Sequence, residues 1–388
     1  MDAHVERVTT AATAKCLALA RLRGLRPKQM RQLYRSVVIP TTDYAASSWF
    51  SQDRRGISRL VNRLERVQKM GAKIILRAFN GVALRILEAE ASLEPVRERL
   101  ARKVAAHLAS LTSLQESNLL RQCMHDIQRG ATAQESPLQE TWWAYKRQYS
   151  PRGGPAPIPL RTWITPPWRD QADQCLRVEQ DQARDFLERE QRYGTAILYT
   201  DASVRNGHRA ARDLVVKEVK RRAEESLRET GLGTWGQYTQ RLDAALPGKH
   251  TLKLYGSLDS DQAAVLVQAR TNHTHLNSNL ARLRVEEDAK CQCGIEDETV
   301  AHVLLRCPRW IEMRPAVKEA AGGRWGDLSY LLGGYSKKRE LRTGKSVDGP
   351  MEKWAPNLEM VKITIRFLQQ TTRMGATPVQ GQSEERQG

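Results

Sequence analysis

The clearest pattern of hydrophobic and polar positions lies in RRGISRLVNRLERVQKMGAKIIL, residues 54–76. Apolar or small residues recur there at steps of three and four, the repeat of one face of an α-helix. These positions are Ile57, Leu60, Val61, Leu64, Val67, Gly71 and Ile74. A row of cations runs beside them: Arg59, Arg63, Arg66, Lys69 and Lys73. The row is either a solvated face opposite the core or a surface that follows the phosphates of a nucleic acid.

The same periodicity predicts helices elsewhere in the first third of the chain. Residues 3–37 read as helical with a break near Gly24 and Pro27, since both residue types interrupt helices. The stretch ALRILEAEASLEPVRERLARKVAAHLASL, residues 83–111, predicts two helices separated near Pro95. The chain is also rich in good helix formers and has only 4 Phe. We therefore predict a mainly α fold.

A different composition follows in the middle of the chain. Residues 137–168 hold 7 of the 16 prolines and 4 of the 9 tryptophans. Within this region, SPRGGPAPIPLRTWITPPWRD, residues 150–170, cannot form a helix or an inner strand. We interpret this stretch as an extended connector whose Trp163 and Trp168 dock on a neighbouring domain; stacking on nucleic-acid bases is the alternative. A polar helix then leads to ILYTDASVRNG, residues 197–207, where an apolar strand ends at Asp201.

Charge narrows the class of partner. The 388 residues suit two or three domains, and the net charge is +18. Residues 1–110 carry 21 Lys and Arg against 9 Asp and Glu, so most of the excess lies there. A basic domain of this kind is typical of nucleic-acid binding, with ribosomal or anionic-membrane binding as alternatives. The N-terminus shows no secretory signal and no segment suits a membrane span, so we expect an intracellular protein of the nucleus or cytoplasm.

The cysteines predict one metal site. A helix-rich stretch, roughly residues 235–285, leads to CQCGIEDETVAHVLLRCPRW, in which three of the six cysteines lie within 17 residues. The spacing Cys-x-Cys-x8-His-x4-Cys offers the thiolates and imidazole that Zn²⁺ prefers. The four ligands would be Cys291, Cys293, His302 and Cys307. Four protein ligands make a closed, structural zinc site; an apolar cluster of reduced thiols is the alternative. His273 and His275 are spare ligand candidates or ordinary loop residues.

Three segments together resemble non-LTR (LINE-like) retrotransposon polyproteins. QARTNHTHLNSNLARLRVEEDAKCQCGIEDETVAHVLLRCPRWIEMR is similar to their C-terminal region, where a Gln-x-Arg-Thr-x-His segment precedes a Cys/Cys/His/Cys zinc knuckle. LYRSVVIPTTDYAASSWF, LERVQKMGAKIILRAF and LEAEASLEPVRERLARKV resemble the reverse-transcriptase thumb and connection region, which holds the template and primer. PPW before a strand ending in Tyr-Thr-Asp resembles the entry to the ribonuclease H domain. The resemblance covers residues 1–320.

The resemblance also shows what the chain lacks. It places Asp201 on the first metal-binding aspartate of ribonuclease H, which uses three or four carboxylates to hold two Mg²⁺ ions. Only 33 residues separate Asp201 from Trp235, where the post-nuclease helical region has begun, and no Tyr-x-Asp-Asp polymerase motif occurs. We therefore interpret Asp201 as vestigial. Mg²⁺ would be a cofactor only if ribonuclease H activity survives.

These inferences predict a mainly α fold with five parts. They are a basic thumb/connection-like helical domain (1–130), a Pro/Trp-rich connector and polar helix (131–195), a truncated ribonuclease H-like β-hairpin (196–212), a C-terminal helical region with the zinc knuckle (213–320) and a partly disordered tail (321–388). The expected function is that of a nucleic-acid-binding fragment without catalysis. A residual hybrid ribonuclease that uses Asp201 and a non-catalytic helical adaptor are the alternatives.

Overall fold

The computed structural model describes five parts of the chain: residues 1–112 except Asp53, residues 118–129, residues 138–143 except Thr141, residues 236–335 and residues 357–374. Helices account for 68% of this described part, and it contains no strand, so the prediction of a mainly α fold is confirmed. The predicted β-hairpin at 196–212 lies outside the described residues, as do the predicted boundaries after 130, 195 and 212.

In the first third of the chain, the residues that the structure describes form eight α-helices. They are α1 (Asp2–Ala20), α2 (Pro27–Leu33), α3 (Ile39–Thr42), α4 (Ala46–Trp49), α5 (Ile57–Leu76), α6 (Leu84–Glu90), α7 (Val96–Thr112) and α8 (Leu119–Arg129). A π-helical turn, Tyr34–Val38, joins α2 to α3. The predicted break near Gly24 and Pro27 and the separation near Pro95 are both confirmed, since α2 and α7 begin at or just after these prolines.

The described residues of the C-terminal part, 236–335 and 357–374, contain seven further α-helices. They are α9 (Gln237–Leu242), α10 (His250–Gly256), α11 (Ser260–Thr271), α12 (Asn277–Arg282), α13 (Pro315–Ala321), α14 (Leu328–Leu331) and α15 (Leu358–Gln370). Helix α11 begins with a capping box, in which Asp259 accepts from the backbone N–H groups of Asp261 and Gln262. Helix α15 lies in the segment predicted as a tail, yet its Val361, Ile365 and Leu368 are fully buried.

Two compact units divide these elements. Unit 1 comprises Met1–Tyr44, Ser58–Arg99 and Ala223–Gly388; unit 2 comprises Ala45–Ile57 and Leu100–Arg222. In unit 2, the Trp49 and Phe50 rings meet edge to face at 5.9 Å, and Arg54 lies 4.0 Å from Glu140. In unit 1, one apolar core runs from Ala12 in α1 to Met374 after α15. The N-terminal helices and the metal-ligand region therefore belong to the same core.

The apolar stripe predicted for α5 is buried, and Val67 belongs to the unit 1 core. Ile57, Leu60, Val61, Leu64 and Val67 are all at most 7% exposed. Gly71 continues the stripe because the ring of buried Tyr34 lies directly against it, where any Cβ would overlap the ring. The glycine is therefore required for the close approach of the π-helical turn to α5.

A buried ion network joins the two ends of unit 1. Arg270 in α11 is fully buried and donates from Nε to both oxygens of Glu90 in α6, at 3.0 and 2.9 Å. Its Nη2 donates to Asp243 at 2.6 Å and its Nη1 to the carbonyl of Leu332 at 2.9 Å. The Tyr255 hydroxyl also donates to Glu90, at 2.8 Å. Because buried charges need such partners, this network fixes α6 and α11 relative to each other.

A second buried network lies among the N-terminal helices. Arg99 at the start of α7 donates to both oxygens of Asp43, at 3.0 and 3.1 Å, and also to the side chain of Gln68 in α5. Gln68 in turn donates to Glu88 at 2.5 Å. Burial raises the pKa of Glu88 to about 7, although Arg85 nearby opposes the shift. This carboxyl is thus held in a site that disfavours its charge.

Candidate metal centre and basic faces

The four predicted zinc ligands come together in the structure. The ligand atoms of Cys291, Cys293, His302 and Cys307 all lie within 4.8 Å of one another. Cys291 Sγ is 3.7 Å from Cys307 Sγ, and Cys293 Sγ is 3.2 Å from His302 Nε2. A tetrahedral Zn²⁺ with bonds of about 2.3 Å to sulfur would place two sulfur ligands about 3.8 Å apart. The cluster can therefore hold a metal ion such as zinc.

A π-helical turn, His302–Arg306, positions two of these ligands. In an α-helix, residues five apart point about 140° away from each other. The wider turn, closed by the Cys307 N–H donating to the His302 carbonyl at 2.8 Å, brings both side chains to one side. The geometry of this turn therefore suits a shared ligand site.

A tight loop positions the other two ligands. The backbone N–H of Gly294 donates to the Cys291 carbonyl at 2.8 Å, and Gly294 has a φ of 77°, which an L side chain rarely adopts. The backbone N–H groups of Ile295 and Glu296 donate to the Cys293 sulfur and lower its pKa to about 6. Burial has the opposite effect on Cys291 and raises its pKa to about 11. The loop thus already favours one thiolate, the form that binds metals.

The second ring nitrogen of His302 supports the same assignment. His302 is 1% exposed, and its Nδ1 has no hydrogen-bond partner in the described part of the chain, although a Glu296 oxygen lies 3.5 Å away. With Nε2 on a metal, Nδ1 carries the proton and points it at this carboxylate, the usual arrangement of metal-bound histidines. Arg306 holds Glu296 in place at 2.8 Å. The donor set and its surroundings therefore fit a structural zinc ion.

Three residues that the sequence analysis did not identify fasten the site to unit 1. Glu298, 1% exposed, accepts from the backbone N–H of Asn277 at 2.9 Å and pairs with Arg373 at 2.5 Å. Arg314 donates to the carbonyls of Leu304 and Cys307, at 3.0 and 2.6 Å, and so satisfies the end of the π-helical turn. The sequence alone does not indicate the role of Glu298, because its partner Arg373 lies 75 residues further along the chain.

The spare histidines do not join the cluster. His273 Nδ1 lies 2.9 Å from the carbonyl of Thr271, and burial lowers the pKa of this ring. The His275 ring stacks on Phe79 with ring centroids 4.7 Å apart. His273 is half-buried and His275 lies exposed on Phe79, so neither ring contributes to the metal-ligand cluster.

The predicted cation row of α5 lies at the surface to different degrees. The Arg59 side chain is 74% exposed and Arg66 is exposed, whereas Arg63, Lys69 and Lys73 are half-buried. Asp2 lies 3.5 Å from Arg59 and 3.6 Å from Arg63, and Lys73 donates to Asn80. Burial, together with the neighbouring Lys69, lowers the pKa of Lys73. The row is a basic face whose most accessible members are Arg59 and Arg66, and its nucleic-acid role stays a prediction.

The remaining predicted residues lie elsewhere. Asp201, Trp163 and Trp168 fall outside the described residues. No helix in the described ranges combines the length and apolar character that crossing a lipid bilayer requires.

Comparison with known proteins returned no match among family models, curated proteins or solved structures. The resemblance to retrotransposon polyproteins therefore rests on the motifs quoted above.

Proposed function

We propose that the chain is a nucleic-acid-binding fragment of a non-LTR retrotransposon polyprotein, stabilised by one structural zinc ion and without catalysis. The observation that carries the proposal is the convergence of Cys291, Cys293, His302 and Cys307 within 4.8 Å, in the order that the zinc knuckle of that family requires. A helical adaptor with fortuitous charge gives no reason for this convergence.

The packing of unit 1 supports a common origin of the two matching regions. Glu90 belongs to LEAEASLEP, the thumb-like stretch, and Arg270 belongs to the Gln-x-Arg-Thr-x-His segment. These residues are 180 positions apart and form a fully buried ion pair. Segments that meet in this way fold together, as expected if both descend from one polyprotein.

The chemistry of the site limits its role. Four protein ligands fill the tetrahedral shell of Zn²⁺, so no position remains for a reactive water. The ion would cross-link the loop around Gly294 to the π-helical turn, and its binding free energy would contribute to folding. Contact with nucleic acid would fall to the cations of the N-terminal helices, among them Arg59, Arg63, Arg66, Lys69 and Lys73.

The test has a metal arm and a binding arm. Purified protein should contain about one zinc per chain by elemental analysis, and Cys291→Ser with Cys307→Ser should lose it. Parent protein should bind a dye-labelled RNA–DNA hybrid in fluorescence anisotropy, with an affinity that falls steeply as salt rises. Absence of zinc and absence of binding at low salt would together refute the proposal.

Two matched double variants test whether binding depends on the cations of α5 or only on the net charge of the protein. Arg59→Ala with Arg66→Ala should weaken hybrid binding and reduce the salt slope by nearly two units, because each lost phosphate contact removes about 0.9. Lys249→Ala with Lys253→Ala removes the same charge from exposed positions of the C-terminal part and should have a smaller effect. Equal effects of the two pairs would contradict a role for α5.

The residual ribonuclease is tested separately. If Asp201 is vestigial, the protein should not cleave the RNA of a hybrid with Mg²⁺ or Mn²⁺, and Asp201→Asn should change nothing. Cleavage that co-purifies with the parent protein and disappears in the Asn variant would establish the enzyme instead.

A further inference from the structure

A groove of about 540 Å³ lies between α1 and residues 36–44, on unit 1. We call it the α1 groove. Val37 and Pro40 contribute to its apolar lining, Arg7 and Lys15 contribute cations, and Tyr44 contributes an aromatic ring. None of the residues that line it is acidic. Its size is in the range of pockets for small organic ligands, and its charge is positive.

Tyr44 offers an unusually accessible aromatic face. The residue is 67% exposed, and the His4 ring lies beside it with centroids 6.2 Å apart and a tilt of 30°. Aromatic rings are usually buried because of their large apolar area. An exposed ring beside cations is typical of proteins that stack an unpaired base and hold the adjoining phosphates.

The position of Tyr44 is fixed by its neighbour in sequence. Asp43 is fully buried and accepts hydrogen bonds from Arg99 and from Thr42. This pairing anchors the backbone just before Tyr44, so the tyrosine is held outside the core. It also neutralises and buries the Asp43 carboxylate, which lies next to Tyr44 in sequence and would otherwise repel a phosphate.

The sequence around the groove is basic throughout. Residues 7–42 contain eight Lys and Arg and no Asp or Glu. A second groove beside α1 differs in charge, because its lining includes the acidic Glu6 together with Arg63 and Arg66. Lys15 already reaches across the α1 groove and donates to the Thr41 hydroxyl at 2.6 Å, and its ammonium has two further donors for a phosphate.

We propose that the α1 groove binds single-stranded nucleic acid, with one unpaired base stacked on Tyr44 and the adjoining phosphates on Arg7 and Lys15. A duplex covers the faces of its bases by internal stacking, so a protein ring can stack only on an unpaired base. The inference rests on the proposed nucleic-acid function and deepens it by naming a second site with a different preferred substrate from the α5 face.

The experiment compares an intact strand with one that lacks a base at every position. Dye-labelled 12-nucleotide single strands, one intact and one fully abasic, carry the same phosphates and are titrated with the full chain in fluorescence anisotropy. Tyr44→Ala should weaken binding of the intact strand about tenfold, the size expected for one lost stacking contact. It should leave abasic-strand and duplex binding unchanged. Tyr44→Phe, which keeps the ring, should stay within about twofold of the parent.

Charge variants provide the matched control. Lys15→Ala should weaken intact and abasic strands equally and should lower the salt slope, because it removes a phosphate contact only. Circular dichroism should show an unchanged helix content for Tyr44→Ala, since the ring is mostly exposed.

Two failures are distinguishable. If the parent binds nucleic acid but Tyr44→Ala binds the intact strand as tightly, the α1 groove is not a stacking site and the proposed function stands. The same conclusion follows if Tyr44→Ala weakens abasic and intact strands alike. If the parent binds neither single strands nor duplexes at low salt, the proposed function fails and this inference fails with it.

Discussion

Removing the charge of Arg270 should destabilise unit 1 far more than removing a surface arginine. Arg270→Met keeps most of the side-chain length but deletes four hydrogen bonds, two to Glu90, one to Asp243 and one to the Leu332 carbonyl. Both carboxylates are then left fully buried without their cation. Breaking a buried pair in this way costs about 3–5 kcal/mol, a large share of the 5–15 kcal/mol typical of a domain.

The loss of stability caused by Arg270→Met should depend on pH. In the parent, burial alone would raise the pKa of Asp243, but Arg270 and the hydrogen bond from His250 outweigh it and lower the pKa to about 2. A depressed carboxyl pKa contributes stability above the unfolded value of 3.8, and this is lost only as pH falls toward 2. The parent contribution is therefore constant from pH 5 to 8. In the variant, Arg270 no longer offsets the effect of burial on Asp243, so the pKa of this carboxyl rises and stability falls as pH rises through that window.

The assay is urea unfolding of zinc-loaded protein, followed by circular dichroism at pH 5 and pH 8. Arg77→Met is the matched control, because Arg77 pairs with Asp261 at the surface, where such pairs are worth about 0.2–1 kcal/mol. Arg270→Lys keeps the charge and should fall between the two. A loss for Arg270→Met no greater than that of the control, or one that is equal at both pH values, would refute the role of the buried network.

Three further predictions concern single positions. Gly71→Ala should cost about 1–3 kcal/mol in urea unfolding because its Cβ overlaps a buried ring, whereas Gly323→Ala, whose Cβ meets nothing within 4 Å, should be nearly neutral; equal effects would contradict the packing argument. Burial raises the pKa of Glu88 from 4.5 to about 7, so the free energy of unfolding of the parent should fall by on the order of 3 kcal/mol as pH rises through that range. Glu88→Gln should remove this decline in a pH series of unfolding midpoints. Glu296→Ala should weaken zinc binding about 10- to 100-fold in chelator competition, since it removes the carboxylate beside His302 Nδ1; an unchanged affinity would show that this carboxylate does not orient the ligand.

Local patterns made part of the fold predictable from sequence. The stripe of α5 has a full helical period, and Gly24, Pro27 and Pro95 interrupt helices for local reasons, so these features were identified correctly. The Cys-x-Cys-x8-His-x4-Cys spacing likewise confines the metal ligands to 17 residues. In each case the relevant residues lie within one short segment of the chain, where sequence order and spatial proximity agree.

Long-range contacts were not predictable in the same way. Nothing near Glu90 indicates that its partner is Arg270, and nothing near Glu298 indicates Arg373. Helix α15 was missed although Val361, Ile365 and Leu368 repeat at helical steps, because this short stretch lies in a segment rich in polar residues and glycine. Its burial depends on α11 and α13, to which it packs in space rather than in sequence.

The buried network also changes the meaning of the Gln-x-Arg-Thr-x-His segment. A run of polar and charged residues in a motif suggests chemistry, yet Arg270 has no exposed surface, and the Thr271 hydroxyl donates to the Val267 carbonyl at 2.7 Å. His273 packs beside Gly81 of the N-terminal part and does not join the metal ligands. These residues hold helices together, because a buried arginine satisfied by two acids and a carbonyl specifies one arrangement of its neighbours. Under the proposed function, contact with nucleic acid would fall to surfaces that the motif does not include, the cation row of α5 and the α1 groove, where cations remain exposed.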